Sequence, residues 1–64
     1  MTHYLSKETT IDGNSIHITI SFKVNGSWVK VTTVGSDGYY REVNLRKIVA
    51  RKHYAQLVKE GFTR

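Results

Sequence analysis

Hydrophobic and polar residues alternate from Ser15 to Val34 in two runs joined by Asn25-Gly26. A period of two marks a half-buried strand. Asn-Gly between two such runs marks a two-residue hairpin, because a type I′ turn needs φ > 0 at both central positions. Counting back from that turn sets Val24 opposite Ser27, Lys23 opposite Trp28, Phe22 opposite Val29, Ser21 opposite Lys30, Ile20 opposite Val31 and Thr19 opposite Thr32. One side of the hairpin collects Ile16, Ile18, Ile20, Phe22, Val24, Val29 and Val31, which is a core. The other collects His17, Thr19, Ser21, Lys23, Trp28, Lys30 and Thr32, all polar or basic apart from the tryptophan.

The same pattern continues on both sides of the hairpin. Tyr4 to Ile11 predicts a first strand, ended by an Asp12-Gly13 turn. Gly35-Ser36-Asp37-Gly38 predicts a second tight connection, with Gly38 suited to the left-handed position, and Tyr39 to Val43 is then the last strand. A three-residue loop there points Val43 to the core. A four-residue loop instead sets Arg41 beside Lys30 and Trp28, since a slip of one residue exchanges the faces. Asn44 is suited to cap a helix over Leu45 to Glu60, closed by Gly61 with Phe62 packing back on the last turn. Ala50, Tyr54, Leu57 and Val58 share one helical face, while Lys52, His53, Gln56 and Lys59 lie on the other. Leu45, Ile48 and Val49 leave that stripe, so either the first turn is irregular or the strand runs on and the helix starts nearer Ala50. The expected fold is α+β: a three- to four-stranded antiparallel meander with one C-terminal α-helix packed on its apolar face, in a single small domain over residues 1–64.

Length bears on function before any motif does. A chain of 64 residues sits near the lower limit for one hydrophobic core, and an enzyme pocket of roughly 300 to 1,000 Å³ would consume much of it. A surface binder is favoured. There is no cysteine, which excludes disulfides and thiolate-zinc sites. The MTHYLSKETT start lacks a long apolar run, predicting neither a signal peptide nor a membrane span, and the cytoplasm is the expected compartment. Ten Lys and Arg stand against five Asp and Glu, a formal charge of +5, which favours a polyanionic partner.

Motifs for catalysis are lacking. Glu8, Asp12, Asp37, Glu42 and Glu60 are scattered along the sequence, and no nucleophile triad order, phosphate loop or metalloprotease helix motif occurs. His3, His17 and His53 fall on three different elements without ligand spacing, so neither a metal nor a cofactor is expected. Trp28 matters more, because a tryptophan on the face away from the core stays wet unless a partner covers it. Its neighbours Thr19, Ser21 and Thr32 supply short hydroxyls and Lys23 and Lys30 supply cations. Hydroxyls and cations reach phosphates, and longer side chains reach base edges from a ribbon that fits the major groove.

A meander followed by one helix, over VNGSWVKVTTVGSDGYYREVNLRK, resembles in layout the plant ethylene-response-factor domain and the N-terminal arm-binding domain of tyrosine recombinases. Both lay a three-stranded sheet into the DNA major groove. The resemblance is of pattern, since neither family's diagnostic string appears, and it assigns no residue roles. The expected function is non-enzymatic nucleic-acid binding, with duplex DNA favoured over RNA, in an accessory or regulatory role. Thr19, Ser21, Lys23, Trp28, Lys30 and Thr32, joined by Arg41 in the four-residue loop, would form the contact surface, and Arg46, Lys52, His53 and Lys59 would supply phosphate contacts or long-range attraction. Two alternatives use the same face: a small module or inhibitor docking on an acidic partner protein, and a homodimer that covers the indole.

Overall fold

The computed structural model describes residues 2–64. Strands β1 (Thr2–Ile11), β2 (Asn14–Asn25), β3 (Trp28–Gly35) and β4 (Tyr40–Arg46) form one antiparallel sheet in the order β1-β2-β3-β4, followed by helix α1 (Lys47–Lys59). The sheet is the expected meander in its four-stranded form, and the helix packs on one side of it.

Each connection follows from its turn residues. Asp12 and Gly13 both have positive φ, 51° and 80°, the type I′ signature, and the pairing of Ile11 with Asn14 closes the first hairpin around them. The second hairpin departs from expectation. Asn25 pairs with Trp28, so the turn residues are Gly26 and Ser27 rather than Asn25 and Gly26. Gly26 has φ 63° and Ser27 has no positive φ, the pattern of a type II′ turn, which wants glycine at its first central position. The pairing therefore runs Val24–Val29, Lys23–Lys30, Phe22–Val31 and Ser21–Thr32, two residues away from the expected register. A displacement of two leaves every side chain on its expected face, because the side-chain period is two.

An added Cβ at Gly26 meets nothing within 4 Å, so a substitution there is opposed by backbone conformation alone. Gly26→Val is expected to lower stability by about 1–3 kcal/mol, since a β-branched residue resists positive φ. Urea unfolding of a chemically synthesised Gly26→D-Ala chain should show little or no loss, and equal losses in both would refute this account of the turn.

The third connection is the three-residue loop. The Gly38 amide donates to the Gly35 carbonyl at 3.0 Å and the Gly35 amide to the Tyr39 carbonyl at 2.9 Å, with Gly38 at φ 96°. Val43 pairs with Val31 and Leu45 with Val29 on the helix side of the sheet. Arg41, opposite Thr33, shares the face of Val43. The four-residue alternative is thereby excluded, and Arg41 does not join Lys30 and Trp28.

The strand also runs on. Asn44 lies within β4 opposite Lys30 and is no helix cap, and the residue preceding the helix is Arg46, which makes no side-chain capping bond. At the other end the Phe62 amide reaches the Leu57 carbonyl (3.0 Å) and the Gly61 amide the Val58 carbonyl (3.2 Å), a Schellman closure on a glycine at φ 103°. Lys7 supplies a cation to the same helix end, donating from Nζ to the Glu60 carbonyl at 2.7 Å. Thr63 then bridges Ser6 on β1 through two backbone hydrogen bonds.

Leu5, Ile20, Phe22, Val29, Val31, Ala50, Leu57 and Phe62 are buried, with Ile18, Val43, Leu45 and Tyr54 packed against them. Two expected core positions are looser. Val24 remains 36% exposed at the rim, and Val58 of the expected helical stripe faces solvent. A helix of 13 residues is about 20 Å long beneath a 12-residue strand of roughly 40 Å. The turn end of the β1–β2 hairpin therefore extends past it, and Ile11 and Ile16 lie outside the main core. Among the described residues no helix is long and apolar enough to cross a membrane.

Candidate nucleic-acid interface

The sheet face away from the helix is uncovered, and the strand register arranges it in rows. At one end stand Asn25, Trp28 and Arg46, directly across from one another. The next row is Thr2, Lys23, Lys30 and Asn44, and the next is Tyr4, Ser21, Thr32 and Glu42. Beyond them come Ser6, Thr19, Val34 and Tyr40. Trp28 is 46% exposed, as its parity implies, and Tyr4 (60%) and Tyr40 (64%) project from the same surface.

Trp28 does not sit opposite Lys23. Its ring lies 4.9 Å from the Arg46 guanidinium carbon, within the reach of a cation–π contact. Arg46, expected among the helix cations, thus belongs to the sheet face. A guanidinium over an indole leaves N–H donors free to meet a planar acceptor. Beside it is a shallow hollow of about 400 Å³ lined by Asn25, Trp28 and Asn44.

Lys23 and Lys30 face each other across the β2–β3 pair. Like charges directly opposite are destabilising by roughly 0.2–1 kcal/mol. Lys30 reaches the Glu42 carboxylate at 3.0 Å, with both side chains well exposed, a contact that solvent weakens. Among the described residues Lys23 is in no ion pair. This end of the sheet therefore holds three cations, two amides and an indole with one carboxylate near them.

The remaining candidates lie elsewhere. Arg41 is on the helix side of the sheet, and exposed Lys52 and Lys59 project from the helix away from it, consistent with their positions at 100° per residue from the buried Ala50 and Leu57. His53 does not share their side as expected, and the same 100° spacing explains why, since it lies only about 60° around the helix from Ala50. Its ring centroid lies 6.0 Å from that of buried Phe22, so it leans on the margin of the core. No single surface gathers all the expected residues: Thr19, Ser21, Lys23, Trp28, Lys30, Thr32 and Arg46 share the open face, and Arg41, Lys52, His53 and Lys59 are behind it.

Sequence reasoning missed part of the detail of the open face. Asn25 and Asn44 were absorbed by an expected turn and an expected helix cap, which hid their positions beside Trp28. Glu8 and His17, nine positions apart in sequence, are cross-strand partners 3.1 Å apart, and the Ser15 hydroxyl donates to the other Glu8 oxygen at 2.8 Å. The Ser15 hydrogen bond first, and then His17, hold the Glu8 carboxyl below its ordinary value of 4.5. Counting back from the Asp12-Gly13 turn would have found this pair. Among the described residues no group of three or more His, Asp or Glu side chains is arranged to hold a metal.

No family model matches the chain, and comparison with curated proteins and with solved structures returned no match.

Proposed function

We propose that this chain is a non-enzymatic nucleic-acid-binding domain that lays its open sheet face into the major groove of duplex DNA, in a cytoplasmic accessory or regulatory role. The observation that carries the reading is the cluster of Arg46 lying over Trp28, flanked by Asn25 and Asn44 and backed by the opposed Lys23 and Lys30. Arginine pairs with guanine edges and asparagine with adenine edges, and lysines and hydroxyls meet phosphates. Three adjacent strands at about 4.8 Å spacing are roughly 10 Å across, close to the major groove's 12 Å. Strands β2 to β4 would enter, leaving β1 at the groove wall. The repulsion between Lys23 and Lys30 becomes an advantage once a polyanion lies between them.

The exposed Tyr4 and Tyr40 favour a second reading, in which unpaired bases of RNA or single-stranded DNA stack on the same face. Electrophoretic mobility shift with a random duplex and with one of its strands, at about 50 and 200 mM salt, separates the two. Duplex binding that weakens steeply with salt is expected. Tighter binding to the single strand would select the second reading. No shift of either at low salt would reject nucleic acid and turn the face over to an acidic protein or to a second copy, the latter visible as a doubled mass in light scattering.

A further inference from the structure

The side of the sheet that carries the helix has a groove of about 440 Å³ at the end where the helix begins. Its floor is Phe22, Val24, Val29 and Ala50, whose side chains offer no hydrogen-bonding group. Its rim carries His3, Lys47, Arg51 and Arg64, with Tyr54 at the inner wall. None of the lining residues is acidic, although the chain has five carboxylates. The topology assembles this rim from the first strand, the helix and the C-terminus, where the Thr63–Ser6 bridge turns Arg64 toward His3.

The rim is unfavourable for the free protein. The first turn of α1 has no acidic residue, and its preceding residue provides no side-chain cap. Lys47 and Arg51 thus add positive charge to the positive end of the helix dipole, where a carboxylate is preferred. An occupant that is apolar at its centre and anionic at its edges would satisfy floor and rim together.

We propose that this groove docks an acidic segment of a partner protein, which inserts an apolar side chain over Val24 and Val29 and lays flanking carboxylates against Lys47, Arg51 and Arg64. A nucleic-acid strand fits less well, because the floor provides nothing for the polar edge of a base. A second copy of this chain is opposed by its own net charge of +5. The volume equals that of about fifteen waters at roughly 30 Å³ each, enough for one or two apolar side chains. The site lies on the opposite side of the sheet from Trp28, so both surfaces are open to occupation at once.

The probe is a blocked peptide, Glu-Glu-Asp-Leu-Phe-Asp-Glu-Glu, titrated into the ¹⁵N-labelled full chain to about 1 mM, the weak end of specific binding. Amide shifts are expected to concentrate at Val24, Val29, Ala50, Arg51 and Tyr54. Replacing Leu-Phe by Ser-Ser, or the chain's Arg51 and Arg64 by Glu, should each weaken binding by about tenfold or more. The two arginines are exposed, and Val24→Asp is a second variant that blocks the floor at a partly exposed position. The proposal is overturned if no shifts appear in the groove, if they map to Trp28 and Asn44, or if the Ser-Ser peptide binds as well. It is equally overturned if sodium laurate or duplex DNA displaces the peptide, since the groove would then belong to a small amphiphile or to the polyanion surface. Failure of DNA binding reads out at Trp28 and leaves the groove result standing.

Discussion

Phe22→Ala is expected to remove most of the stability of this domain. Phe22 is 4% exposed and meets Tyr54 edge-on, with ring centroids 5.4 Å apart. It lies across from Val31 on one side and His3 on the other, so it ties β2 to both neighbours and to the helix. Truncating a core phenylalanine costs about 3–5 kcal/mol. A chain of 64 residues has a total of roughly 3–10 kcal/mol at the usual 0.05–0.15 kcal/mol per residue. No disulfide supplements the core, since the chain has no cysteine. Urea unfolding followed by far-UV circular dichroism should show a much reduced midpoint, with some of the population unfolded without denaturant at 25 °C. Phe22→Leu, which refills most of the volume, should recover a large part of the loss. A loss below about 1 kcal/mol for Phe22→Ala would mean that the helix is not seated on the sheet as described.

The face assignment withstood a wrong register for a definite reason. Asn-Gly is a strong turn signal, yet Gly-Ser one position later is also a turn pair, and alternation along β2 and β3 does not discriminate between them because both keep Phe22 and Val31 inside. What alternation cannot reveal is which side chains are direct neighbours. Counting from Asn25-Gly26 sets Trp28 against Lys23, whereas its neighbours are Asn25 and Arg46. The parity of β4 rested on the length of a Gly-rich loop, and the loop's own hydrogen bonds settle it in favour of Val43. The helix start was hidden by Asn44, whose capping propensity is local, whereas its place in β4 comes from pairing with Lys30. Pattern thus located the open surface and its tryptophan. The amides and the arginine over the indole that give that surface its detail depend on register, which short-range signals only partly encode.

Replacing Trp28 or Arg46 by Ala is expected to weaken duplex binding far more than it weakens the fold, and to flatten sequence preference. A bidentate contact from Arg46, which the indole holds in place, to a base edge contributes about 1–3 kcal/mol, about five- to 150-fold in affinity. The surface cation–π contact contributes about 0.5–1 kcal/mol to the folded state. Lys23 and Lys30 act differently, as phosphate contacts. Changing both to Gln should make the log-log salt slope shallower by about 1.8, two contacts at 0.9 each, with relative preference among sequences unchanged. Lys52 and Lys59 project from the far side of the helix and cannot touch a duplex lying on the open face. Their replacement by Gln should leave the slope nearly unchanged and lower only the association rate at low salt, through long-range attraction. Salt titrations of fluorescence anisotropy on a small panel of duplexes distinguish these classes. A slope that depends on Lys52 and Lys59 but not on Lys23 and Lys30 would place the nucleic acid on the helix side, leaving Trp28 without the reading role assigned to it.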